Sequence, residues 1–490
     1  MITALIILPT IAGLLALIIR PNAPRRALLL VTATAHAGLT AFSWISGASP
    51  ALSGWLMLDG PGILFLGITS VLFLAASVYA VGYLSHEEKG KRSDFEEGVG
   101  FINAPEKVFT GALLFFLATM TLVAASQHFG LLWVAVEATT LASAPLIYFH
   151  RHHRSLEATW KYLLICSVGI ALALLGNFFL AVAAAAHDGS STSLVLSDLL
   201  RQGPHFNIPW LRAAFLFLLV GYGTKMGLAP MHTWLPDAHS EAPSVVSALL
   251  SGALLNCAFL GILRAQQVLG AAGQGAFGRE LLLVFGLLSM AVAAVFILSQ
   301  ADYKRMLAYS SVEHMGILSL GIGLGGSGTF GSLLHAVNHS LTKAMLFLVA
   351  GNIVTAFRTK QSGEISGMLR VLPVSGGLWL MGFLAITGSP PFGPFLSEFT
   401  ILKAAADTGN GMAAVIYLSL LALIFIGMMT AALRMTQGLP EGTTGEARRT
   451  EGVLSVASPL ALGILVLVLG LYVPPPLRDA VREAARVVGG

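Results

Sequence analysis

The chain has 490 residues, 56% of them apolar and 11% charged, with a net charge of +4. A soluble protein of this length needs far more charge to cover its surface, and runs such as 459–473 and 414–433 have no polar face at all. A soluble core is thereby excluded, and so small a net charge gives no sign of a nucleic-acid partner.

A helix needs about 20 apolar residues to cross the hydrocarbon core. On that length the sequence predicts an all-α integral membrane fold of about fourteen transmembrane helices. They centre near residues 10, 37, 72, 116, 138, 172, 218, 256, 290, 316, 342, 390, 424 and 463. The first three form an N-terminal segment, 1–107, whose end (86–107) mixes both signs of charge and reads as a surface loop or partner contact. The fifth span, LLWVAVEATTLASAPLIYF, carries Glu137. A carboxylate at mid-bilayer costs roughly 2.5–3.5 kcal/mol and is kept only if paired, hydrated or protonated. His150, His152 and His153 follow in a basic loop and read as solvated. Lys161 lies one turn inside the sixth span, near enough to its end to snorkel out.

Cys166 and Cys257 sit in apolar helices and read as packing residues; no CxxC or His/Cys spacing suggests a metal. The seventh span, FLFLLVGYGTKMGLAPMHTWLPDAH, holds Lys225, with Gly227 and Pro230 directly after it. Proline removes a backbone donor, so the helix must break just past Lys225, and broken helices in membranes line polar paths. Burial weakens the ammonium and a nearby carboxylate strengthens it, so a Lys beside a movable Glu is a proton switch. Glu137 is the natural partner. Asp237, His239 and Glu241 fall on a turn without Lys or Arg, which reads equally well as an acidic mouth that gathers protons or as an ordinary polar turn.

In the second half, HAVNHSLTK places His335, His339 and Lys343 at i, i+4 and i+8, one stripe of one helix. A row of titratable groups suits a proton wire, and histidine titrates near neutrality. A metal site from the two histidines lacks a carboxylate nearby in sequence. His314, in AYSSVEHMG, joins the row from the neighbouring helix, with Glu313 pointing elsewhere. Glu398 follows GSPPFGPFLSE, where Pro390, Pro391, Gly393 and Pro394 break a second helix. The two breaks occupy corresponding places in 108–268 and 280–437, the pattern of an inverted repeat of five helices each. The remainder, 438–490, holds a last span and a short amphipathic tail, 477–488, that lies on the surface or in the interface.

Alternate loops differ in basic residues. The odd loops hold 17 and the even loops five, Arg264 among the five. That bias places the odd loops in the cytoplasm and both termini on the outer side.

The segments TKMGLAPMHTWLPDAHSEAPSVVSALLSG, DYKRMLAYSSVEHMG, HAVNHSLTKAMLFLVAGNI and GSPPFGPFLSEF resemble the antiporter-like membrane subunits of respiratory complex I and group 4 membrane-bound hydrogenases. The likeness runs over most of 60–435. SSVEHMG and LLHAVNHSLTKAMLF look most like the F-type subunit of hydrogenase-4 and formate hydrogenlyase complexes. The resemblance implies fourteen helices with two inverted five-helix repeats. It implies that Glu137 and Lys225 are the family's Glu–Lys pair. It puts His314, His335, His339 and Lys343 on its central polar axis, and Glu398 at the end. One position departs: many complex I members carry a Lys in the eighth helix, where this chain has Asn256.

The implied function is proton translocation in the cytoplasmic membrane of a bacterium or archaeon. The chain would be one subunit of a complex related to NADH/quinone oxidoreductase or of hydrogenase type. Its partners would be other membrane subunits, antiporter-like neighbours among them, and one linking to a peripheral redox arm. No flavin, iron–sulfur or nickel motif is present, so no cofactor or metal is expected in the chain and the redox chemistry falls to partners. A subunit of a multisubunit sodium/proton antiporter, an inorganic-carbon uptake subunit and a non-pumping scaffold are the alternative readings.

Overall fold

In hydrocarbon every backbone N–H and C=O must find its partner within the protein, and apolar runs of this length solve that by coiling into helices. The computed structural model describes residues 1–87, 90, 92–185, 193–438 and 450–489. Four residues of the basic-loop tally, Lys89, Lys91, Arg448 and Arg449, lie outside them.

In chain order the helices are α1 (Ile2–Ile18), α2 (Asn22–Ser46), α3 (Gly60–His86), α4 (Glu106–Ala125), α5 (Phe129–Ile147), α6 (His153–Ala184) and α7 (Leu196–Gln202). Then come α8 (Ile208–Met226), α9 (Trp234–Glu241), α10 (Ser244–Leu249), α11 (Leu255–Ala271), α12 (Gly275–Leu298), α13 (Tyr303–Leu324) and α14 (Ser327–Phe357). The last are α15 (Met368–Val371), α16 (Pro373–Ile386), α17 (Gly393–Asp407), α18 (Gly411–Thr436), α19 (Val453–Leu471) and α20 (Pro475–Val488). A π-turn, Leu250–Leu254, joins α10 to α11.

The expected centres fall inside helices, except residue 390, which lies in the gap between α16 and α17. Ten helical stretches among the described residues are long and apolar enough to cross a membrane. The figure of about fourteen also draws on segments that are short, such as Ile2–Ile18 and Pro373–Ile386, or rich in polar residues, such as α13.

Caps fix several starts. Asp59 accepts from Gly62 N at 3.1 Å, and Asp302 accepts from the Lys304 and Arg305 amides at 2.7 and 3.0 Å. The first expected break is real: α8 ends at Met226 on Gly227, whose φ of +87° is a left-handed cap. The groups it frees are bonded. Thr224 O accepts from the Trp234 indole at 2.8 Å, and Ala229 N donates to Ser289 on α12 at 3.0 Å. The second break separates α16 from α17, and Asn338 donates to Gly393 O at 2.8 Å.

Along the seam between α6 and α8 a side chain at Gly221 would meet the Gly169 carbonyl at 2.6 Å. Small residues there let the backbones close up, as in membrane helix pairs generally. Residues 244–269 are all buried and pack on α3, α8 and α14. The tail helix α20 buries Val481, Ala484, Ala485 and Val488 against α3, α11 and α14, while Arg482 and Arg486 stay exposed and Arg478 is half-buried.

Odd-loop residues meet on one face, called the basic face below. Arg154 pairs with Asp94 at 2.6 Å and with Glu96; Lys360 pairs with Glu96 at 3.5 Å and Glu241 at 3.0 Å; Arg305 pairs with Asp237 at 2.5 Å. The Asp237–Glu241 segment, expected as a turn, is the end of helix α9 and no free acidic mouth. Lys161 also reaches Asp237, at 2.9 Å, and bases from neighbouring loops neutralise the segment. Burial works against the Glu241 charge, yet Lys360, Arg154 and Lys304 together hold its pKa down to about 2. His152 is not solvated: it caps α6 through Ser155 N at 3.1 Å, and its other ring nitrogen is 3.7 Å from Glu241. Arg264 is not a loop residue. It lies fully buried in α11 and binds Asp59 at 3.0 and 3.1 Å and Gln127 at 3.2 Å.

Candidate functional site

Two polar constellations sit inside the helix bundle. The first is built by α5, α6 and the end of α8. Lys225 is fully buried. Its ammonium donates to Tyr162 Oη at 2.5 Å and Thr140 Oγ1 at 2.9 Å, and it stands 4.3 Å from the centre of the Tyr162 ring. Tyr162 is held in turn by Ser143 at 2.6 Å.

Glu137 is only half-buried. It accepts from Ser167 at 2.8 Å and from Thr140 at 3.4 Å. The carboxylate and the ammonium are thus joined through the Thr140 hydroxyl rather than placed in direct contact. Ser167 and Thr140 complete the carboxylate's polar shell, while Val134 and Leu141 on the same face of α5 are exposed.

The second constellation is built by α13, α14 and α17. His335, His339 and Lys343 share one stripe of α14, and all three are fully buried. His314 Nδ1 and His335 Nε2 are 2.9 Å apart, and the His314 and His339 rings are 5.0 Å centre to centre. On its far side His335 meets Ser397 at 3.0 Å, the residue before Glu398. The Glu398 carboxylate lies against Gly388, where φ is +69° and any Cβ would collide with it. The break before α17 makes the room this acid occupies.

The expectation that Glu313 points elsewhere fails. Its carboxylate is 1% exposed, lies 3.9 Å from His314 Nε2 and is within electrostatic reach of Lys343. Lys343 itself donates to Leu307 O at 2.6 Å. Several polar atoms here have no hydrogen-bond partner among the described residues: both Glu313 oxygens, both His339 ring nitrogens, His314 Nε2 and Glu398 Oε1. Buried polar atoms left unpaired are costly, and this cluster concentrates them in one place.

Asn256, the departure from the family pattern, is buried beside α14. It donates to Ser340 at 2.8 Å, next to His339 in the chain, and Ser251 meets Ser311 on α13 at 2.8 Å. The neighbours that reasoning from the sequence left out are Thr140, Tyr162, Ser167, Asn338 and Ser397, and Glu313 is named there but set aside. Only Glu313 carried a signal, as a charge inside an otherwise membrane-compatible segment.

For a metal, His314, His335 and Glu398 offer ligand atoms all within 4.8 Å of one another. The carboxylate missing from the sequence neighbourhood of the histidines thus arrives from another helix.

Residues 126–431 match the family described as NADH:quinone oxidoreductase/Mrp antiporter, transmembrane. The chain is 35% identical over 429 residues to a hydrogenase-4 component F homolog of Methylacidiphilum infernorum (isolate V4), covering 86% of each. A chain of the membrane-bound sulfane sulfur reductase, an archaeal respiratory membrane complex, superposes with a TM-score of 0.87 at 20% identity, over 99% of this chain and 97% of that one. At that identity the likeness speaks for the fold. A chain of respiratory complex I from Thermus thermophilus with bound aureothin superposes with a TM-score of 0.77 at 26% identity, over 96% of this chain and 97% of that one.

Proposed function

Since the chain belongs to the NADH:quinone oxidoreductase/Mrp antiporter family, we propose that it carries protons as an antiporter-like membrane subunit of a multisubunit redox complex, of the NADH:quinone oxidoreductase or hydrogenase type. The observation that carries this reading is the buried row of His314, His335, His339, Lys343 and Glu398 from three helices, with His314 against His335 and His339, and Glu398 within 4.8 Å of His314 and His335. Imidazole and ammonium nitrogens take up and release protons. Sodium, a hard cation, needs a cage of oxygens, and nitrogen groups dominate this row.

The step is electrostatic. A neighbouring subunit moves Glu137, the Thr140 link to Lys225 tightens or loosens, and the proton affinity of Lys225 follows. Moving one charge against 100 mV costs about 2.3 kcal/mol, which a pKa change of roughly two units supplies. The changed charge at Lys225 is felt by the histidine row, along which a proton passes and leaves by Glu398. The half-buried Glu137 marks the face of α5 and α6 that a partner subunit covers, because an ionised carboxylate open to acyl chains is costly.

Two inverted units, 108–268 and 280–437, underlie both sites in this reading. The packing supports them. The pairs α4–α5, α5–α6, α6–α8, α8–α11 and α4–α11 have counterparts in α12–α13, α13–α14, α14–α17, α17–α18 and α12–α18. The flanking segments 1–107 and 438–490 lie outside the repeats. The basic face is cytoplasmic by its excess of Lys and Arg, which leaves both termini outside.

The test is Lys225→Ala in membrane vesicles, with proton uptake followed by a pH-gradient dye. Loss of uptake while electron transfer continues under an uncoupler is expected. Unchanged uptake rejects the mechanism. Co-purification in mild detergent identifies the complex: small antiporter subunits without a redox chain would instead favour a sodium/proton antiporter.

A further inference from the structure

We infer that Lys304 and His239 form the inlet through which protons pass from the basic face to the row on α14. The inference rests on the proton-carrying reading above and adds where the row is filled.

The stripe of α14 that holds His335, His339 and Lys343 continues at the next turn with Phe347, an apolar ring. The helix then runs on to Phe357 at the basic face, so the row stops well short of that face. Another element supplies the next group. His239, in the last turn of α9, is fully buried and stacks on Phe347 with ring centres 5.0 Å apart and planes at 14°. Neither of its ring nitrogens has a hydrogen-bond partner among the described residues. The charges that bear on it are Lys343, on the inner side, and Lys304, toward the basic face. Its backbone is fixed, since Ser247 Oγ donates to the His239 carbonyl at 2.9 Å. An imidazole buried with both nitrogens unpaired costs stability, and stacking on Phe347 alone does not call for one.

Lys304 closes the gap to the surface. It is buried at 3% exposure, and its ammonium donates to Ser240 O at 3.0 Å and Ala242 O at 2.7 Å, the carbonyls on either side of Glu241. Those two bonds use two of its three donors and leave one free. Glu241 reaches the outer network through Lys360 at 3.0 Å and His152 at 3.7 Å. Along α13, Lys304, Ser311 and His314 are spaced by seven and three residues and so share a stripe. The inlet and the histidine row therefore lie on one side of the same helix. The transfer is balanced: one ring nitrogen of His239 gains the proton that Lys304 gives up, the other nitrogen releases a proton to Lys343, and Lys304 is refilled from the basic face.

The test uses the assembled complex in membrane vesicles with three variants: His239→Phe, Lys304→Arg and Lys343→Ala. Phe keeps the stack on Phe347 without a titratable group. Arg keeps charge and donors and does not release a proton near neutral pH, so it rescues a purely structural lysine and not a relay. Proton uptake is expected to fall about tenfold or more in both His239→Phe and Lys304→Arg, with assembly and uncoupled electron transfer retained. Should His239→Phe fail to assemble, His239→Gln replaces it. Full uptake in either inlet variant, with Lys343→Ala impaired, overturns the inlet alone. Full uptake in Lys343→Ala overturns the proton-carrying reading itself.

Discussion

Lys225 and Lys343 are both fully buried ammonium groups, yet their surroundings differ. Lys225 is clasped by two hydroxyls and an aromatic ring, with its carboxylate one hydroxyl away and half-open on the outside of the bundle. Lys343 binds a backbone carbonyl, with Glu313 and the histidines stacked behind it in the interior. The first arrangement has a handle that a neighbour can reach and a single charge to switch. The second has no outward handle and many groups through which a proton can step. Under the proposed function the first site receives the signal and the second conducts.

The sharpest way to break that division is Glu398→Gln. It removes the last acid of the conducting site, and proton uptake is expected to drop on the order of a hundredfold or more, the scale of a lost acid–base group. Equal uptake in the variant would remove Glu398 from the path. A smaller effect is expected from Thr140→Val, which keeps the shape and deletes the hydroxyl between Glu137 and Lys225. Uptake should fall about tenfold, the scale of one hydrogen bond to a charged group. The drop should vanish when Thr140→Val is combined with Glu137→Gln, because both sever one link. Additive losses would mean that Thr140 does not carry the signal.

The smallest change at neutral pH concerns the network on the basic face that supports both sites. Glu241 titrates at about 2 in the fold against 4.5 for a free carboxyl. Its stabilisation is therefore complete above about 4.5 and is lost as pH falls toward 2, roughly 3 kcal/mol in all. Thermal unfolding in detergent should show this acid loss in the natural chain and a much shallower one in Glu241→Gln. Identical acid profiles would mean that the network does not hold the fold.

Much of this was legible in the residues themselves. Apolar length and the proline–glycine clusters located the helices and both breaks, because backbone chemistry is local. Glu137, Lys225, His335 and Lys343 stood out because a charge in hydrocarbon is conspicuous. What stayed hidden depends on which helices touch. Glu398 joins His314 and His335 only because α17 packs on α14. The hydroxyls of Thr140 and Tyr162 look like ordinary helix residues until Lys225 reaches them. Arg264 reads as loop charge because its partner, Asp59, is far away in sequence.

The half-open carboxylate of Glu137 also constrains biogenesis. A newly inserted copy, alone in lipid, must protonate that side chain or draw water to it, at a cost that a docking neighbour would end under the proposed function. Under that reading an unassembled copy carries an electrostatic cost that an assembled one does not.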